Sequence, residues 1–178
     1  MRWNSFSGTL WFAALVAVGL PAAVLVLGSG LGGRAAVSVY IVASACFYLV
    51  GCAPGRRRSL LVAIPVAAVG GLILLLAPEP EQAAVLSAAM IAACRSGFLY
   101  RSRPGRALLV ELVLASVGLA VAGLLWGPGL LTAALALWGY YLVQSIFFLV
   151  GGVQVRRRPA EGDAFELARS RLLTLLEG

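Results

Sequence analysis

The chain has 178 residues, 61% hydrophobic and 12% charged, with 14 basic against 7 acidic side chains and a formal net charge of +7. Ordinary soluble domains are roughly half apolar and a quarter charged, so the apolar surface exceeds what one small aqueous core could bury; a water-soluble domain is excluded and lipid becomes the solvent. Histidine and lysine are absent and every basic residue is arginine, which excludes ordinary haem ligation, His-based zinc sites and Ser-His-Asp chemistry.

An apolar helix crosses the hydrocarbon core in about 20 residues, and six segments fit. The first, Thr9 to Leu27, is longer than a signal-peptide core and lacks a cleavage site of the A-x-A kind, so it is read as a retained helix. GSGLGG (Gly28 to Gly33) and Arg34 lead to the second, Ala35 to Cys52. That glycine run has no strand before it and joins two membrane helices, so it is not a phosphate loop. Arg56, Arg57 and Arg58 precede the third span, Ser59 to Ala77, and the acidic stretch APEPEQ (Ala77 to Gln82) precedes the fourth, Ala83 to Tyr100. Arg101, Arg103 and Arg106 lead into the fifth, Ala107 to Trp126, and the uncharged GPG (Gly127 to Gly129) into the sixth, Leu130 to Val150. Four spans are free of charge, while the fourth carries Arg95 and the fifth Glu111. Pro21 and Pro65 are expected to kink spans one and three, and Gly70 and Gly71 permit close helix approach.

The expected fold class is an all-α integral membrane protein: six transmembrane helices as three hairpins over residues 1–152, then a basic linker and a short amphipathic helix over 153–178. The arginine clusters fall on alternate connections and on the tail at Arg156, Arg157 and Arg158. Positive charge is retained on the cytoplasmic side, so both termini are expected to face the cytoplasm. Exclusive use of arginine, with abundant Ala, Gly, Leu and Val, suggests a GC-rich bacterial genome and hence the inner membrane.

A period of about 50 residues runs through the chain. FYLVG (Phe47 to Gly51) answers FFLVG (Phe147 to Gly151), and PGR at Pro54 recurs at Pro104. Such self-similarity marks an internal repeat, or it arises by chance when hairpins of equal length share a leucine- and alanine-rich alphabet and one charge rule. Both readings stay open here.

The intramembrane polar residues are the candidate site. Position 103 lies midway between Arg95 and Glu111, so a hairpin turning around Ser102 to Gly105 brings the two to one depth, with Pro104 and Gly105 supplying the turn. A charge at mid-bilayer costs about 2.5 to 3.5 kcal/mol on insertion scales. A structural pair clasping spans four and five is the leading reading, ahead of independent snorkelling and of a proton, ion or substrate site. Gln144 and Ser145 fall near the level expected for Arg95 and extend the cluster Arg95, Glu111, Gln144. Cys46, Cys52 and Cys94 lack C-x-x-C spacing and read as structural thiols. No catalytic or metal-ligating constellation is found, and no cofactor motif.

In the tail, EGDAFELARSRLLTLLEG offers Asp163 as a helix cap with Glu166 three residues on. Phe165, Ala168, Leu172 and Leu176 then recur on one face. A helix of about 14 residues is marginal alone in water, so this stripe is expected to dock on the bundle's own end, on the anionic leaflet, or on a membrane-protein partner. The net charge is accounted for by the positive-inside arrangement and needs no nucleic acid. Two functions remain: a non-enzymatic inner-membrane subunit or accessory factor, and a small-solute channel or transporter.

Overall fold

The computed structural model describes residues 5–53, 56–77, 79–96 and 104–150, all helical apart from short connections. Helix α1 spans Phe6–Leu31, α2 Gly33–Cys52, α3 Arg56–Leu76, α4 Pro80–Cys94, α5 Pro104–Leu125, α6 Leu130–Ser145 and the single turn α7 Phe147–Val150. Among the described residues five stretches are long and apolar enough to cross a membrane: α1, α2, Ser59–Leu76, Leu108–Leu125 and Leu130–Leu149. Their outward faces leave Val18, Leu25, Val26, Ile64, Leu75 and Leu124 three-quarters or more exposed. Water would not tolerate apolar surface on that scale, so the chain is a multi-pass membrane protein.

Local chemistry sets the boundaries. At the start of α1 the Ser5 hydroxyl accepts the Gly8 amide at 3.1 Å, which satisfies one of the orphan donors of the first turn. The helix then runs through Pro21 to Leu31, four residues beyond the expected end, because the glycine run continues it. It stops at Gly32, the one described residue with positive φ (81°), a conformation that glycine adopts without steric cost. Proline occupies the first position of α4 and Glu81 its first turn, both suited to a helix N-terminus.

The fourth span departs from expectation. Its helix begins at Pro80 rather than Ala83 and ends at Cys94, 15 residues in all, a length of about 22 Å against a hydrocarbon core of about 30 Å. Arg95 and Ser96 follow in a wider π turn, and residues 97–103 lie outside the described part of the chain. The Ser96 hydroxyl donates back to the Ala92 carbonyl at 2.7 Å, the kind of side-chain bond that competes with the backbone ladder. The sixth span is not one helix either. It breaks at Ile146, whose amide bonds the Val143 carbonyl three residues back rather than four, while the Ser145 hydroxyl donates to the Leu142 carbonyl at 2.7 Å. The turn tightens and rotates the residues that follow.

Contacts between helices run α1 to α2, α2 to α4, α4 to α5, α5 to α6 and α6 back to α1, closing a ring, with α3 packed outside against α2 and more lightly on α4. Two sequential pairs, α1 with α2 and α5 with α6, are in broad contact, whereas α3 touches α4 only lightly, so the three expected hairpins are not equivalent. Gly70 explains the closeness of α3 to α2, since a Cβ there would stand 2.8 Å from Cys46 Sγ; at Gly71 a Cβ would meet nothing. Inside the ring Phe12, Tyr48 and Tyr141 form an aromatic trio from α1, α2 and α6, with centroids 5.0 to 5.5 Å apart. Ser44 gives its proton to the Ile41 carbonyl at 2.8 Å, so at the 2.9 Å contact between Ser44 and Tyr141 the tyrosine is the donor.

Candidate functional site

The three polar residues singled out within the spans meet at one point. Arg95 leaves the end of α4 and enters the ring, where its Nε lies 2.8 Å from Glu111 Oε1 on α5 and its Nη1 donates to Gln144 Oε1 on α6 at 2.9 Å. A second, longer bond from Nη1 reaches the Tyr48 hydroxyl on α2 at 3.3 Å. Arg95, Glu111 and Gln144 are all wholly buried. The arginine thus joins α2, α5 and α6 to the end of α4, which is more than the expected clasp between spans four and five alone.

Rings close the site on the remaining sides. The Arg95 Cζ lies 3.9 Å from the centroid of Phe147, 5.3 Å from that of Phe148 and 5.8 Å from that of Tyr48. A guanidinium held over aromatic faces gains roughly 0.5 to 2 kcal/mol per favourable contact, most where water is excluded, and its flat shape suits stacking in a way an ammonium would not. Phe147 is the first residue of α7, directly after the tightened turn at Ile146. The contact between Nε and Oε1 is an ion pair rather than a hydrogen bond, since the N–H does not lie along it. Neither carboxylate oxygen of Glu111 nor the Gln144 Nε2 has a hydrogen-bond partner among the described residues.

Tyr48, Phe147 and Phe148 are the partners that the sequence reading missed, although a signal for them was present. Tyr48 and Phe148 are the second residues of FYLVG and FFLVG, and both face the same guanidinium. The correspondence fails one position earlier: Phe47 is 72% exposed and Phe147 is fully buried. Ser145 is buried beside Gln144 but bonds its own helix backbone rather than the cluster. Trp138 is partly exposed, while Tyr140 and Tyr141 are buried. The three cysteines are free, with Cys52 buried and the other two half-buried.

At the opposite end of the bundle a second ion pair was also missed. Arg34, in the first turn of α2, meets Glu79 at 2.7 Å and Glu81 at 3.9 Å, joining the two connections that carry the GSGLGG and APEPEQ stretches. The tail stripe Phe165, Ala168, Leu172 and Leu176, with the arginines at 156 to 158, lies outside the described residues. No known protein family matches the chain, and neither a characterised protein nor a solved structure does.

Proposed function

We propose that the chain is a non-enzymatic inner-membrane subunit or accessory factor of a membrane complex. It crosses the bilayer six times with α4 as a short sixth span, holds both termini in the cytoplasm, and docks a partner through the C-terminal stripe Phe165, Ala168, Leu172 and Leu176. The observation that carries this reading is the closure of the polar cluster buried among its described helices. Arg95, Glu111 and Gln144 are spent on one another beneath Phe147 with no exposed surface, which is how a bundle locks its helices rather than how a reactive site presents groups to a substrate. Such a lock makes a rigid scaffold with broad apolar sides.

The test is co-purification of the tagged full-length chain and of a version ending at residue 158. A stoichiometric membrane-protein partner that is retained by the first and lost by the second supports the proposal; a partner held equally by both removes the tail from it. Tags at residues 34 and 102 read the orientation, and finding the arginine-bearing connection at 102 on the periplasmic side overturns the topology.

A channel or transporter is the second reading, favoured by one feature: a cavity among α2, α4, α5 and α6 lined by Ser87 and Tyr140. Reconstituted protein that passes small neutral solutes across liposomes, with flux lost on filling that cavity, would replace the scaffold reading.

A further inference from the structure

The cavity among α2, α4, α5 and α6 has a volume of about 50 Å³, and its inner surface is almost wholly carbon. Most of the residues around it are buried, but Ala84 on α4 and Leu119, Ala122 and Trp126 on α5 are half-buried. It therefore opens through the seam between those two helices, the slightest contact in the ring. Leu119 and Ala122 lie inside the apolar stretch Leu108–Leu125, and Trp126 stands just past its end, at the boundary level that tryptophan favours. On either side α4 and α5 expose Val85, Leu86 and Leu124, so the mouth faces hydrocarbon rather than water. The cavity runs inward to Ile91 and Tyr141. Tyr141 is near the middle of the stretch Leu130–Leu149, the level at which the chains of a bilayer end.

We propose that this cavity is a binding site for the tip of one acyl chain of a membrane phospholipid, which enters sideways between α4 and α5. Water is a poor occupant, because a site walled by carbon offers it too few polar partners and such cavities stay dry. Leaving the space unfilled is also unfavourable, since the lining then forfeits dispersion contacts on one side. Size selects among apolar ligands. The volume is about a third of the roughly 150 Å³ of a cavity that admits benzene, so an aromatic, quinone or sterol ring does not fit, whereas the end of a linear chain does. A lipid chain is already out of water, so its entry needs no dehydration, and packing against the wall is the net gain. The site depends on residence of the chain in a membrane, and not on the docking of a partner through the tail.

A phosphatidylcholine bearing a diazirine at the end of one acyl chain, mixed into nanodiscs that hold the full-length protein, tests the site, because light converts the diazirine to a carbene that inserts into whatever it touches. Ile41, Ile91 and Leu137 are buried and line the cavity, whereas Leu49 and Ile73 are also buried and do not. Adducts on the first three, read by mass spectrometry, are expected at about ten times the yield on the other two, since insertion requires contact within about 4.5 Å. Equal yields in the two groups overturn the proposal. Adducts at the cavity from a free fatty acid with the same diazirine, and none from the phospholipid, overturn it as well. Ala122→Leu fills the mouth and should lower the cavity residues to the yield of Leu49 and Ile73; a folded Ala122→Leu protein labelled as before is a further refutation. Should that variant not fold, the comparison within the unmodified protein still decides.

Discussion

Two arginine–glutamate pairs hold opposite ends of the bundle at nearly the same distance, 2.7 Å for Arg34 with Glu79 and 2.8 Å for Arg95 with Glu111. Their surroundings could hardly differ more. The side chains of the first pair are 74% and 48% exposed, and those of the second are not exposed at all. In water the first gains little, because solvent already stabilises each charge and salt screens what remains. The second has no such alternative. Each partner makes the other tolerable, and the loss of either leaves an uncompensated charge inside the bundle. Distance between charges therefore says little about worth; enclosure decides it.

The largest effect that could break this comparison comes from severing the enclosed pair. Arg95→Ala or Glu111→Gln should each destabilise the detergent-solubilised protein by about 3 to 5 kcal/mol. The double replacement Arg95→Met with Glu111→Leu should cost clearly less than the sum of the two single losses. Thermal unfolding of the four proteins measures this, and additive losses would show that the two residues act independently. Next comes Gln144→Leu, which removes the acceptor of a charge-assisted bond and should cost about 1.5 to 3 kcal/mol in the same assay. Phe147→Leu keeps an apolar cover but removes the ring face, with an expected loss of about 0.5 to 2 kcal/mol. If Phe147→Leu melts with the unmodified protein, the ring is packing alone. The smallest effect is expected at the exposed end. Glu79→Gln should change stability by less than about 1 kcal/mol, and that difference should vanish in high salt.

The enclosed pair was legible in the sequence because charges inside apolar runs are rare, and two of them on either side of a short connection can meet by arithmetic alone; Pro104 and Gly105, expected to supply the turn, instead open α5 as its first two residues. Gln144 was legible for a similar reason, as a polar residue within a span. The aromatic cover was not. Phe47 and Phe147 occupy equivalent places in near-identical pentapeptides, yet one faces outward and the other covers a guanidinium. They differ in which face of their helix the assembled bundle covers, and Phe147 also follows a three-residue amide bond at Ile146 that α2 lacks at Phe47; composition and periodicity register neither. The short fourth helix was hidden for a related reason: apolar content continues past Cys94 while the regular backbone gives way to the π turn at Arg95 and Ser96. The pairing of Arg34 with Glu79 escaped notice because it depends on which helix ends come to lie side by side, and most of α2 and all of α3 intervene between them in the chain.

The reversal at Gly32 carries a consequence of its own. With a single residue between Leu31 and Gly33, the first two helices have no slack: the angle at which one leaves the membrane surface and the next re-enters is held by one pair of backbone torsions. A side chain introduced there would meet no neighbour, so any damage from Gly32→Val would come from the backbone alone. It would spread to the whole ring as a misdirected second helix, carrying Tyr48, sixteen positions further on, away from Arg95.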